Sequence, residues 1–307
     1  QFRINVGAGV QGPSARMQAL WPFKVLYILH SCCQMMLLRF ITTYFVHIGF
    51  DTASIGYLQA LRPFASFVGE LLIASVVDHL GHFRAVVLSF NSVGVALFLC
   101  VPFATSFGQV ALVYGLSMLG VSWMGLRDAR VLGTLQQHGR GAEFGQVRKY
   151  AAVGWGASGL ICGQLQDHVS KYALFGAFAS VEFALMLLLV LVPLEPPPSK
   201  DEKAEDRGSL LATVRTAEVG LFFANLFAYG FCASAVETYL FVYLLRDFRG
   251  ASDTLAGCTL VMMTLSEVPV FQYADKALGR GYVPVHIACH WVFAFRCLCY
   301  AALPAAM

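Results

Sequence analysis

Apolar residues along this chain do not alternate with polar ones as they would in barrel strands of about 10 residues. They fill whole windows of roughly 20 residues, the length an α-helix needs to cross about 30 Å of hydrocarbon. About nine such windows are predicted by that length rule. They cover residues 22–47, 54–77, 84–104, 109–132, 149–165, 171–192, 219–245, 254–274 and 282–303. The pattern therefore predicts an all-α membrane protein with multiple spans.

Composition agrees with the pattern and fixes the solvent. Hydrophobic residues make up 58% of the chain and charged residues 13%, whereas soluble domains carry about a quarter charged residues. Lys and Arg collect on the cytoplasmic side of membrane proteins. With the N-terminus inside, the inner segments hold most of them, among them Arg84, Arg127, Arg148, Lys149 and Lys276. The outer loops then hold only Lys171, Arg246 and Arg249. A cytoplasmic N-terminus is expected, and the net charge of +3 is a topology signal that implies no nucleic-acid partner. Nearly all of the nine cysteines fall inside predicted spans, where Cys behaves as a small hydrophobe, so free thiols are expected. Gln1 in place of Met, no signal peptide and an end soon after the ninth span make the sequence read as a fragment.

After six spans comes PLEPPPSKDEKAEDRGS, residues 193–209, whose prolines and charges suit neither lipid nor a core. It divides the chain into an N-terminal tail (1–19), a six-helix bundle (20–192), a cytoplasmic linker (193–218) and an incomplete three-helix bundle (219–307). The halves echo each other. The second span runs into DHLGHFR (Asp78, Gly81, Arg84), and the eighth runs into DKALGRG (Asp275, Gly279, Arg280). Repeated six-helix units joined by a charged linker are a plan of secondary transporters, which bind solute at the repeat interface.

DHLGHFR resembles the loop between helices two and three of the major facilitator superfamily, with Ala74 and Phe83 departing from its pattern. EFGQVRKYAAVGWG (143–156) resembles the fifth helix of the lactose permease group. LSEVPVFQYADKALG (265–279) with FAFRCLCYA (293–301) resembles the eighth and ninth helices of the animal major facilitator domain-containing proteins. The resemblance implies a twelve-helix fold, of which three helices would be missing. It also assigns gating to Asp78 and Gly81, and groups Arg84, Asp275, Gly279 and Arg280 with them.

Charges inside lipid cost at least about 2.5–3.5 kcal/mol each, so those present pair or face water. The intramembrane set is Arg39, Arg62, Glu70, Glu182, Glu237, Glu267 and Arg296. Glu237 lies in mid-helix beside Tyr239 and Tyr243, which serve a polar ligand or ordinary packing equally well. Arg62 is expected either to line a cavity or to pair with an acid on a neighbouring helix. Glu267 and Arg296 occupy consecutive spans, so an ion pair is expected there, either a static pair or a coupling switch that protons and solute compete to open. The resemblance supports the second role, because the lactose permease group keeps an acid on helix eight and an arginine on helix nine. Arg148 offers a planar fork for hydroxyls or a carboxylate, and Trp155 lies two turns further on the same face, able to stack on a ring. In the permease group the matching arginine and tryptophan contact sugar, together with an acid on helix four. On ungapped spacing Arg130 stands in that acid's place, with Asp128 nearby.

Other patterns are set aside. GWGASG and GAGVQG spell G-x-G-x-x-G outside any βαβ unit, so no dinucleotide cofactor is expected. HIACH (286–290) has ligand-type residues on one face but lacks a carboxylate second shell, so no metal is expected. No nucleophile is paired with a base, so the chain is not expected to be an enzyme. The sequence points to a secondary active transporter, a proton symporter of a small polar solute, sugar or nucleoside-like. Its substrate-binding residues would be Arg148, Trp155, Glu237, Tyr239 and Arg296, with Glu267 and Glu237 coupling the proton. The alternative is a non-transporting receptor or scaffold of the same fold.

Overall fold

The computed structural model describes residues 20–192, 194, 216–248, 250–279 and 281–302, with backbone only for 274–278. Nine long helices account for the predicted windows, and no strand occurs among the described residues. In chain order they are α1 (Trp21–His47), α2 (Thr52–Leu80), α3 (Phe83–Leu99), α4 (Phe107–Gln137), α5 (Tyr150–His168), α6 (Ala173–Leu191), α7 (Ala217–Asp247), α8 (Asp253–Leu278) and α9 (Tyr282–Ala302). Helix α7 begins two residues inside the stretch expected as linker, and most of that stretch lies outside the described residues.

Local chemistry sets the helix ends. The Asp51 carboxylate accepts the Ser54 N–H at 3.1 Å and caps α2, while Gly81, at φ +71°, supplies the left-handed residue that ends it. Ser106 and Gln109 form a capping box at the start of α4. Two helices depart from the unbroken form the sequence suggests. Residues Met36–Phe40 of α1 form a π-helical turn. Helix α4 breaks at Ser122 and Trp123 and restarts at Met124. The freed Leu126 N–H donates to Oε1 of Glu70 at 3.0 Å, so an intramembrane acid satisfies a backbone group that lipid would leave bare.

Eight of the nine helices are long and apolar enough to cross a membrane; α5 is not among them. Its glycines, Ser158, Gln166 and Asp167 lower its hydropathy, and its position explains why that is tolerated. Gly154 lies against the backbone of Ile28 in α1, and Gly156, Gly159 and Gly163 lie against Thr264, Leu260 and the Asp253–Thr254 backbone of α8. A helix covered by protein on two sides has little lipid-facing surface to make apolar. Large apolar side chains instead point outward on helices at the perimeter, among them Phe64 and Phe67 of α2, Phe183 of α6 and Phe227 of α7.

The α5–α8 contact is the main join between α1–α6 and α7–α9. Thr264 Oγ1 donates to the Ala152 carbonyl at 3.0 Å, and Lys149 Nζ to Gln272 Oε1 at 3.0 Å. A side chain at Gly163 would run into the α8 backbone, whereas one at Gly176 on α6 meets nothing. We expect Gly163→Val to lower stability by about 1–3 kcal/mol, the usual range for overpacking, and Gly176→Ala to leave it unchanged or slightly raised. Thermal unfolding of the purified full-length protein checks this; equal shifts would contradict the close-packed join.

A second buried polar group holds α1, α3, α4 and α6 together. Glu182 accepts from Asn91 Nδ2 at 2.8 Å, Asn91 Oδ1 accepts from Trp123 Nε1 at 3.2 Å, and the Trp123 ring stacks on His30 with centroids 4.3 Å apart. Glu182 thus sits inside the α1–α6 group, hydrogen-bonded as a buried carboxyl must be.

Candidate functional site

The charged side chains converge in two clusters, one between the two helix groups and one inside the α1–α6 group. The first forms where α1 meets α7. The π-turn adds a residue to the helical winding and turns Arg39 toward α7, while Leu37 and Phe40 remain in the core. Arg39 donates from both terminal nitrogens to Glu237, to its backbone carbonyl and to Oε2. The arginine side chain is 11% exposed and the glutamate 34%. The Trp155 ring lies beneath the guanidinium, 5.9 Å from its centroid, a cation–π distance. Buried Trp155 Nε1 and Arg39 Nε have no hydrogen-bond partner among the described residues.

The second cluster lies where α4 and α5 meet α1. Arg148 ends a short helix, Phe144–Arg148, that leads into α5 through Lys149. In the loop before it, the Arg140 fork grips Glu143 at 2.7 and 2.8 Å and holds that carboxyl below its ordinary range. Arg148 Nε stands 3.5 Å from Oδ2 of Asp128. The other oxygen, Oδ1, accepts from Tyr27 at 2.8 Å and from Arg127 at 2.9 and 2.8 Å. Arg127 also lies 4.1 Å from the Tyr27 ring centroid. Asp128 is thereby oriented by two neighbours while its free oxygen faces Arg148. The Arg148 side chain is 52% exposed, so most of its donors remain open to a ligand.

Ungapped spacing set Arg130 against the helix-four acid of the permease group; in the structure it is Asp128 that stands beside Arg148. The two residues lie about 200° apart on a helix, so only one can face Arg148. The other, Arg130, covers the Phe83 ring at 4.8 Å. Asp128 was visible as an acid near the expected place, but the break at Ser122 and Trp123 that reorients the second half of α4 carries no clear sequence signal.

Other expected residues are distributed differently. Tyr239 is 38% exposed and its hydroxyl packs over Gly56 of α2, while Tyr243 packs edge-on against Phe248. No acid lies within ion-pair distance of Arg62 among the described residues, and its Nε is buried without a partner. The expected Glu267–Arg296 ion pair is not formed. Arg296 Nε donates to Tyr300 of its own helix at 2.9 Å. The two charges act on each other only at longer range.

Of the expected gating residues, Gly81 ends α2, Asp78 is exposed in its last turn, and Arg84 donates to the Val192 carbonyl at 2.5 Å, tying α3 to the end of α6. Gly279 is exposed in the turn after α8; the Asp275 side chain and Arg280 lie outside the described residues. All nine cysteines are free, and no group of three metal-ligand side chains occurs among the described residues.

The MFS_1 like family matches residues 20–307. The chain belongs to that family, within the major facilitator superfamily. It is 26% identical over 258 residues to the maltose permease of Geobacillus stearothermophilus, a match that covers 82% of this chain and 63% of the permease. The chain thus spans less than two thirds of that relative's length. Among solved structures, the D323A mutant of the nucleoside transporter NupG superposes with a TM-score of 0.68 at 18% identity, covering 85% of this chain and 68% of the transporter. Another NupG structure gives 0.65 at 20% identity, with 85% and 67% covered. These superpositions establish the all-helical fold of this MFS_1-like chain; the family match and eight long apolar helices make it a multi-pass integral membrane protein.

Proposed function

We propose that the full-length protein is a secondary active transporter that carries a small polar solute by alternating access, coupled to protons. The observation that carries this reading is the convergence of charges. Arg39 pairs with Glu237 across the two helix groups, and Arg148 pairs with Asp128 where α4 and α5 meet α1. A half-exposed guanidinium beside an oriented carboxylate offers donors and an acceptor to hydroxyl groups, and the Trp155 face offers a stacking surface. The names of the relatives, a maltose permease and a nucleoside transporter, support a hydroxyl-rich solute of sugar or nucleoside type.

Glu237 is the favoured proton carrier, because it is the carboxylate in an ion pair that crosses from α7 to α1. Protonation cancels its charge and frees Arg39, loosening the two helix groups. Glu267 interacts with Arg296 only at longer range and is assigned a secondary part. With the N-terminus taken as cytoplasmic from the distribution of Lys and Arg, Arg148 lies toward the inner side and the contact of Gly163 with Asp253 toward the outer side.

The test is uptake of labelled maltose and uridine by the full-length protein in proteoliposomes, with and without an inward proton gradient. Uptake driven by the gradient is expected. Uptake indifferent to it would mean a passive facilitator, and no uptake of either solute, with no change in Arg148→Ala, would favour a scaffold.

A further inference from the structure

At the end of the molecule away from Arg148, the two helix groups are joined by ionic contacts. His47, the last residue of α1, places Nε2 2.6 Å from Oδ2 of Asp253, the first residue of α8. Asp253 is 2% exposed, and its Oδ1 has no hydrogen-bond partner among the described residues. Asp167, near the end of α5, accepts the backbone N–H groups of Asp253 at 3.0 Å and Thr254 at 2.8 Å, so it caps α8 from across the join. On the far side, Arg246 of α7 donates to the Phe50 carbonyl and the Thr52 hydroxyl at the start of α2. Each of these contacts runs from α1–α6 to α7–α9.

We infer that His47 and Asp253 form a proton-controlled latch that holds this end of the transporter closed. The inference deepens the alternating-access reading and rests on it. A carboxylate buried to this degree costs several kcal/mol unless it is compensated. A neutral imidazole gives it one hydrogen bond; a protonated one gives it an ion pair, roughly twice as strong. Besides Asp253, the charged groups facing His47 are Asp167 of α5 and Lys171 of the following loop, one of each sign. Their fields oppose each other, which leaves Asp253 as the decisive partner.

The sign follows from which groups are charged. Below the ordinary His range, about 6.5, the ring is protonated and the latch is an ion pair. As the pH rises the ring loses its proton and the latch weakens to a single hydrogen bond. Closure is therefore favoured near pH 5.5 and relaxed near pH 8, and by linkage opening this end releases a proton from His47. The residues act by positioning the helices and have no contact with the central clusters.

The test places a fluorophore pair, carried by encoded non-natural residues, at Gly108 and Asp247 of the full-length protein in nanodiscs. Both sites lie at this end on opposite sides of the join: a side chain at Gly108 meets no neighbour, and Asp247 is exposed. Single-molecule energy transfer then reads closed against open. The wild-type closed-to-open ratio is expected to be about fivefold or more higher at pH 5.5 than at pH 8, the lower range for coupled equilibria. His47→Gln and Asp253→Asn should lose that dependence, and His47→Lys, permanently charged, should remain closed at both values. A wild-type ratio that ignores pH, or a pH response unchanged in His47→Gln, overturns the latch. A single distance in every variant and at every pH overturns alternating access itself, so the two failures are distinguishable.

Discussion

Uptake by Arg148→Ala falls about 100-fold or more below that of the wild type. Hydrogen bonds to a charged group contribute about 1.5–3 kcal/mol each. Two bonds from one fork thus correspond to two or more factors of ten in rate or affinity. Arg148→Lys does not restore uptake, because an ammonium lacks the planar fork. Asp128→Asn is expected to fall nearly as far, since Tyr27 and Arg127 hold its carboxylate in place. The double variant should be little worse than either single one, the non-additivity of residues that act as a unit. Thermal stability separates this role from a structural one. Arg148 is 52% exposed and its ion pair spans 3.5 Å, so its loss should cost no more than about 1 kcal/mol. Wild-type uptake in Arg148→Ala would remove the site.

Glu237→Gln is expected to destabilise the protein more than Arg39→Gln does, although both break the same pair. The order follows from burial. Without Glu237, the arginine side chain, only 11% exposed, retains an uncompensated charge, a situation that costs about 3–5 kcal/mol. Without Arg39, the glutamate is 34% exposed and partly hydrated, and the loss should be nearer 1 kcal/mol. In thermal unfolding of the full-length protein the first change corresponds to a fall of about 6 °C or more. Arg39→Gln/Glu237→Gln should recover part of that loss, since neither charge is then stranded. Glu237→Gln should also make any remaining uptake indifferent to the proton gradient, as the residue can no longer take and release a proton. The opposite stability order, or gradient-driven uptake that survives in Glu237→Gln, would remove Glu237 from coupling.

Some features of the site could be read from residue type alone. Arg39 and Glu237 were recognisable because an ionised side chain in an apolar window needs a partner or water, and Arg148 and Trp155 because they share a helix face and resemble the permease group's pair. Their partners were not. Arg39 meets Glu237 across 198 positions of sequence, and no periodicity within either helix encodes that meeting. Glu70 shows the same limit: it stands out as an intramembrane acid, yet its partner is a backbone N–H exposed by a break in another helix. The expected Glu267–Arg296 pair failed because adjacency of two spans does not set which partner a side chain turns to: Arg296 bonds Tyr300 of its own helix instead.

The sequence by itself determined that this is an all-helical membrane protein with about nine spans. Lipid offers no hydrogen bonds to the backbone, so each apolar run must satisfy its own and becomes a helix wherever it lies. Tertiary structure alone decided which charges meet. The π-turn in α1 and the break in α4 set the direction of Arg39 and Asp128, and the close approach of α5 and α8 through glycine sets the distance between the helix groups. Those are relations between segments far apart in the chain, fixed by packing and by the cost of an unpaired charge, and a one-dimensional pattern holds neither.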